Sequence, residues 1–255
     1  MTSPLDQTNE ADEYRHNEER VTLFAPPEAG EPISSEETAR QSVISELIQH
    51  ESDYTQDLKF ISDQFIEPLM QSVSITTNGR GPGSIAKAVF SNWKTLHANH
   101  EEMFAALSER QRSQDSRVTS EAGLIVGYLL KFIANYDRYI DNYPFAKAQH
   151  TSEYHKNPQY RSLIAQGSLD SRMNGREFGS MLTQPIEYLS RLRQILRTMK
   201  DYTHEDHEDQ VYLPILEKAL SYTIERVMRM IEFMKICGSL EFPRGEGMTD
   251  SHRCM

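Results

Sequence analysis

At 255 residues, with 38% apolar and 25% charged side chains, the chain is long enough for one sizeable core beside a more polar end. Its formal net charge is −11, and −7 of that falls in the first forty residues, where ten Asp and Glu face three Arg; no basic stripe is left to recruit nucleic acid or an anionic membrane. No apolar run approaches the roughly 20 residues that span a bilayer, the first twenty residues have no signal-peptide core, and Cys237 and Cys254 form neither a disulfide framework nor a metal pair, so the expected setting is reducing and cytoplasmic.

Residues 1–33 are acidic and broken by Pro4, Pro26, Pro27, Gly30 and Pro32, which reads as a disordered, solvated tail; the alternative is that VTLF at residues 21–24 forms a short docking segment. Ser34 and Glu37 make a capping-box pattern ahead of a long amphipathic helix. Its buried face is Ile44, Leu47, Ile48, Tyr54, Leu58, Ile61, Phe65 and Leu69, and it runs to about Gln71. SITTNGRGPGS then loops. A second helical segment carries Ala88, Val89, Trp93, Leu96, Met103, Phe104 and Leu107 as core candidates.

After a polar break at residues 113–116, a third segment holds Leu124, Ile125, Tyr128, Leu129, Phe132, Ile133, Tyr136, Tyr139 and Ile140. Pro144 is expected to start a fourth helix, since proline suits a first helical turn. That helix passes Tyr154 and Tyr160 to Ile164, with an interruption near Pro158, and Asn174-Gly175 marks a turn.

Residues 178–203 then carry a seam of Phe178, Met181, Leu182, Leu189, Leu192, Leu196 and Met199 at helical spacing. Arg191, Arg193 and Arg197 fall off that seam, toward water or a partner. Pro185 should bend the helix. The last long helix holds Val211, Leu213, Leu216, Leu220, Ile224, Val227, Ile231 and Met234, and glycine and proline from Gly238 onward end it. No period-two pattern and no internal repeat competes. The expected fold is an all-α elongated bundle of about six helices over residues 34–238, with residues 239–255 as a C-terminal tail.

Little in this chain points to self-contained catalysis. His97 and His100, and His204 and His207, stand three apart beside carboxylates, but the His-Glu-x-x-His order of zinc proteases is absent. Asp206, Glu208 and Asp209 suit the positive N-terminal end of a helix, so solvated helix ends are the default reading over a metal site. There is no phosphate loop, no GxSxG elbow and no dinucleotide fingerprint. Interaction through helix faces is the better functional class.

Four segments together resemble the Dbl-homology domain of Rho-family guanine nucleotide exchange factors. They are VISELIQHESDYTQDLKFISDQFIEPL (residues 43–69), VFSNWKTLHANHEEMFAAL, IVGYLLKFIANYDRYIDNYPFAKA, and MLTQPIEYLSRLRQIL, the last resembling the family's signature helix. THEDHEDQVYLPILEKAL is similar to the lead into that family's last long helix. The resemblance covers about residues 34–238. The chain departs from the family pattern at Gln184, where the family usually has Lys, at Glu187-Tyr188, where it has Gln-Arg, and at Leu192-Arg193, where it favours Tyr-Pro.

The resemblance implies a domain that binds the two switch segments of a Rho-family small GTPase and promotes GDP release, with no covalent chemistry and no bound cofactor or metal of its own. It assigns Glu46 to the first switch and Arg191 to the second; helical spacing along the same helix leads to the expectation that Gln184 and Tyr188 share the Arg191 surface. At a family asparagine that contacts the second switch, this chain has Glu232 if one gap is allowed and Ile231 without it. Glu51 and Pro185 are implied to be structural. The alternative is a catalytically weak or inactive scaffold of the same fold that binds a GTPase or another protein without stimulating exchange. A membrane-shaping helical dimer is disfavoured by the acidic balance. The 17 residues after Gly238 are too few for the lipid-binding pleckstrin-homology domain that commonly follows, so the expectation is either a recruiting protein or a chain that is a fragment or minimal form.

Overall fold

The structure is a computed structural model that describes residues 34–72, 83–114 and 118–239. The tail expectations for residues 1–33, including VTLF, and for residues 240–255 lie outside the described residues. Within them the chain is helical. α1 (Ser35–Ile61) continues through a π turn (Ser62–Ile66) into α2 (Glu67–Gln71), followed by α3 (Ser84–Phe90), α4 (Trp93–Ser113) and α5 (Ala122–Lys156). Then come α6 (Pro158–Gly167), a 3₁₀ turn (Ser171–Met173), α7 (Phe178–Met181), α8 (Gln184–Asp201) and α9 (Asp209–Ser239). α1 packs on α4 and α8, α9 packs on α5 and α8, and α4 closes against α5.

The α1 stripe and the seam of residues 178–199 are buried at every position the periodicity named. Ser34 Oγ accepts from the Glu37 amide at 3.1 Å. The Glu37 carboxylate does not complete the capping box; it turns forward to Arg40 at 3.1 Å and Gln41 at 2.6 Å. Arg40, 1% exposed, is drawn inward to Asp209 of α9 at 3.0 Å. Asp209 also accepts from the Ser120 hydroxyl at 2.7 Å and from the amides of Glu121 and Ala122. One carboxylate from α9 therefore caps the N-terminus of α5 and neutralises a buried guanidinium of α1.

Several expectations are corrected. Pro144 does not start a helix but lies inside the 35-residue α5. Tyr139, Ile140, Tyr143 and Ala146 are buried around it, and that packing outweighs the proline's cost of about 3 kcal/mol. Pro185 does not bend one helix; it opens α8 in the first turn after a break at residues 182–183. The Leu182 carbonyl freed there accepts from Tyr139 Oη at 2.8 Å. The second helical segment breaks at Ser91, where φ is +48°, leaving Ala88 exposed. Val211 is 67% exposed, because α9 packs chiefly on α5 and α8 and Val211 lies on its outer face.

Candidate functional site

Glu46 and Arg191, 145 residues apart in sequence, meet on the surface where α1 crosses α8. Arg191 Nη2 donates to Glu46 Oε1 at 2.6 Å, and the side chains are 54% and 45% exposed. An ion pair this open to water holds itself together by about 0.2–1 kcal/mol, so either partner is free to exchange it for a ligand group at small cost. Arg191 also donates to Gln194 of its own helix at 3.2 Å.

The ledge beneath the pair is rigid. Glu51, wholly buried one turn and a half further along α1, accepts from Tyr188 Oη of α8 at 2.6 Å and is bonded to His100 Nδ1 of α4 at 2.6 Å. His100 Nε2 meets Tyr136 Oη of α5 at 2.7 Å. A single carboxylate thus ties α1 to α4, α5 and α8, and each of its oxygens is satisfied. Burial drives the Tyr188 phenol pKa well above its ordinary value, which keeps it a donor to Glu51. The Tyr188 ring lies parallel to Tyr54 at 4.1 Å and to His50 at 5.0 Å.

Of the expected contact residues, Glu46 and Arg191 come together, and the others do not join them. Tyr188 is 2% exposed and points into the core, so it does not share the Arg191 surface. The physical reason is helical phase: Tyr188 falls on the buried seam beside Leu189 and Leu192, and Glu51 waits there for its hydroxyl. Gln184, also buried, donates to Asp57 at 2.8 Å, and Arg176 approaches the same carboxylate at 3.5 Å. Glu232 is exposed on α9. The ion pairs of Glu217 with Arg197 and Lys200 mark the antiparallel α8–α9 register and place Glu232 roughly 11 Å beyond the level of Arg191.

Glu51 takes a structural position, and Pro185 opens the helix that carries Arg191. His100 belongs to the buried knot, while His204 is an exposed helix-end residue. Among the described residues no three His, Cys, Asp or Glu side chains gather to hold a metal ion, and no helix is long and apolar enough to cross a membrane. The sequence reading missed His50 and Asp57. The signal for His50 was its spacing of four from Glu46, which puts both on one helix face.

Residues 43–231 match the model of the RhoGEF domain. Human intersectin-1 is 25% identical over 189 residues, covering 73% of this chain and 11% of that protein. Rho1 guanine nucleotide exchange factor 2 of Schizosaccharomyces pombe is 28% identical over 189 residues, covering 74% of this chain. The chain thus spans 11% and 16% of the lengths of these two relatives. Among solved structures, the DH/PH domains of p115-RhoGEF align with a TM-score of 0.68 at 17% identity, over 79% of this chain and 58% of that one. The DH/PH fragment of PDZRHOGEF, solved in complex with human RhoA, aligns with a TM-score of 0.70 at 12% identity, over 80% and 57%.

Proposed function

The chain belongs to the RhoGEF domain family, and from that premise we propose that its α1–α8 surface binds the switch segments of a Rho-family small GTPase and promotes release of GDP. The observation that carries the reading is the Glu46–Arg191 pair: a carboxylate and a guanidinium, 2.6 Å apart and half exposed, on a ledge fixed from below. On engagement Glu46 accepts hydrogen bonds from backbone amides or a hydroxyl of the first switch, and Arg191 pairs with a carboxylate of the second. Linkage supplies the energetics, since a surface that binds the nucleotide-free GTPase best shifts the equilibrium toward release. The domain regulates another protein's chemistry and performs no covalent step of its own.

Release of a fluorescent GDP analogue from a panel of Rho-family GTPases tests this. The wild-type chain accelerates release from at least one member, and Glu46→Ala or Arg191→Ala slows it about tenfold or more. Binding without acceleration for every member would overturn exchange in favour of a scaffold. That second reading has one specific observation behind it: Gln184, at the family's usual Lys, is buried against Asp57 and offers no charge to a partner.

A further inference from the structure

His50 stands one helical turn after Glu46 on α1, so the two side chains share a face. Its ring lies 5.0 Å from the Tyr188 ring with only 7° between the planes, and Tyr188 lies in turn on Tyr54. His50 is therefore the outer member of an aromatic stack that runs into the core. Its Nε2 is buried without a hydrogen-bond partner. Arg191 comes one turn after Tyr188 on α8, on the exposed side of the same crossing. The charged groups that act on His50 are Glu51 and Asp53 of its own helix and Arg191 of α8, which pairs with Glu46; His100 of α4 meets the edge of Tyr188 at 4.7 Å. Burial lowers the His50 pKa from its ordinary value; Glu51, a hydrogen bond with the Tyr188 backbone and Asp53 oppose this, and Arg191 reinforces it. The ring is neutral at neutral pH.

We propose that His50 is a positioning residue for the Glu46–Arg191 pair. Its neutral ring, flat on Tyr188, holds the turn of α8 that bears Arg191. A proton on His50 sets a second cation beside Arg191, repels it and so disturbs its pairing with Glu46. Engagement of a partner through Glu46 and Arg191 then weakens in acid. The inference deepens the exchange-factor reading and rests on it for the identity of the partner, but the coupling of His50 to Arg191 belongs to the free chain.

Two measurements test it. The first is a histidine NMR titration of the free chain, with the His50 resonance assigned by its loss in His50→Phe. Coupling is reciprocal, so Arg191→Gln raises the His50 midpoint by about half a pH unit. A midpoint that does not move overturns the proposal. The second is GDP release from a Rho-family GTPase between pH 5.5 and 8, comparing the wild type with His50→Phe, which keeps a flat ring without a titratable nitrogen. The wild-type rate divided by the variant rate falls about two- to fivefold from pH 7.5 to 5.5; parallel profiles overturn the proposal. A coupled His50 midpoint in a chain that accelerates no GTPase at any pH would instead remove the exchange reading and leave the positioning role standing.

Discussion

Tyr188→Phe isolates one hydroxyl in the joint between α1 and α8. The phenylalanine ring keeps the stacking on Tyr54 at 4.1 Å and on His50 at 5.0 Å, so packing is conserved. What disappears is the 2.6 Å donation to Glu51, which is wholly buried and has only His100 as its other partner. A hydrogen bond to a charged acceptor contributes about 1.5–3 kcal/mol, and no water reaches the orphaned oxygen at this depth, so the loss should be about 2 kcal/mol. For a denaturant slope of about 2 kcal/mol/M, the urea midpoint falls by about 1 M with the slope unchanged. The same substitution in a Glu51→Met background should cost under about 0.5 kcal/mol, because the hydroxyl there has lost its acceptor already. Far-UV circular dichroism of urea unfolding at pH 7.5 reads all four proteins. A single-variant loss under about 0.5 kcal/mol, or an equal loss in both backgrounds, would refute the assignment of Glu51 and Tyr188 as a coupled pair.

Asp209→Ala should destabilise the domain by about 2–4 kcal/mol, measured by the same unfolding, because it uncaps α5 and leaves the Arg40 guanidinium only Glu37 and the Val118 and Thr119 carbonyls; Asp209→Asn, which keeps an acceptor at the cap, should cost less. Glu121 is buried with both carboxylate oxygens unpaired, and burial pushes its pKa up to about 7. The folded state therefore holds this proton more tightly than the unfolded chain, and stability declines as pH rises from about 4.5 through about 7. Glu121→Gln should accordingly gain on the order of 1–2 kcal/mol over the wild type at pH 8 and nothing at pH 4.5, as read from thermal unfolding across that range. Gly167→Ala would set a Cβ 2.4 Å from Cε1 of the buried Phe65 ring, and the overpacking should lower stability by about 1–3 kcal/mol despite alanine's better helix propensity; an unchanged melting temperature would contradict the tight α6–Phe65 contact.

The periodic positions of α1 and of residues 178–199 were legible because burial on one face of a helix repeats every three or four residues, and that repeat is a local property. Glu46 and Arg191 were named from the family pattern, and both lie off their helices' apolar stripes. Tyr188 was misplaced because its one-turn spacing from Arg191 suggested a shared surface, while a carboxylate 137 residues away in sequence makes it a core residue. Asp209 was read as an acidic residue for its own helix, yet it also caps α5.

The helical class, the faces that pack and the placement of Glu46 and Arg191 off the apolar stripes follow from the amino-acid order. That these two form a pair, that Gln184 and Tyr188 turn inward, and that His50 lies against the stack beneath them follow from how the helices pack. The physical reason is range. Propensity, capping and amphipathic phase act within a few residues along the chain, whereas partner choice for a buried carboxylate or an exposed guanidinium depends on which helices are brought side by side, and no local spacing encodes that.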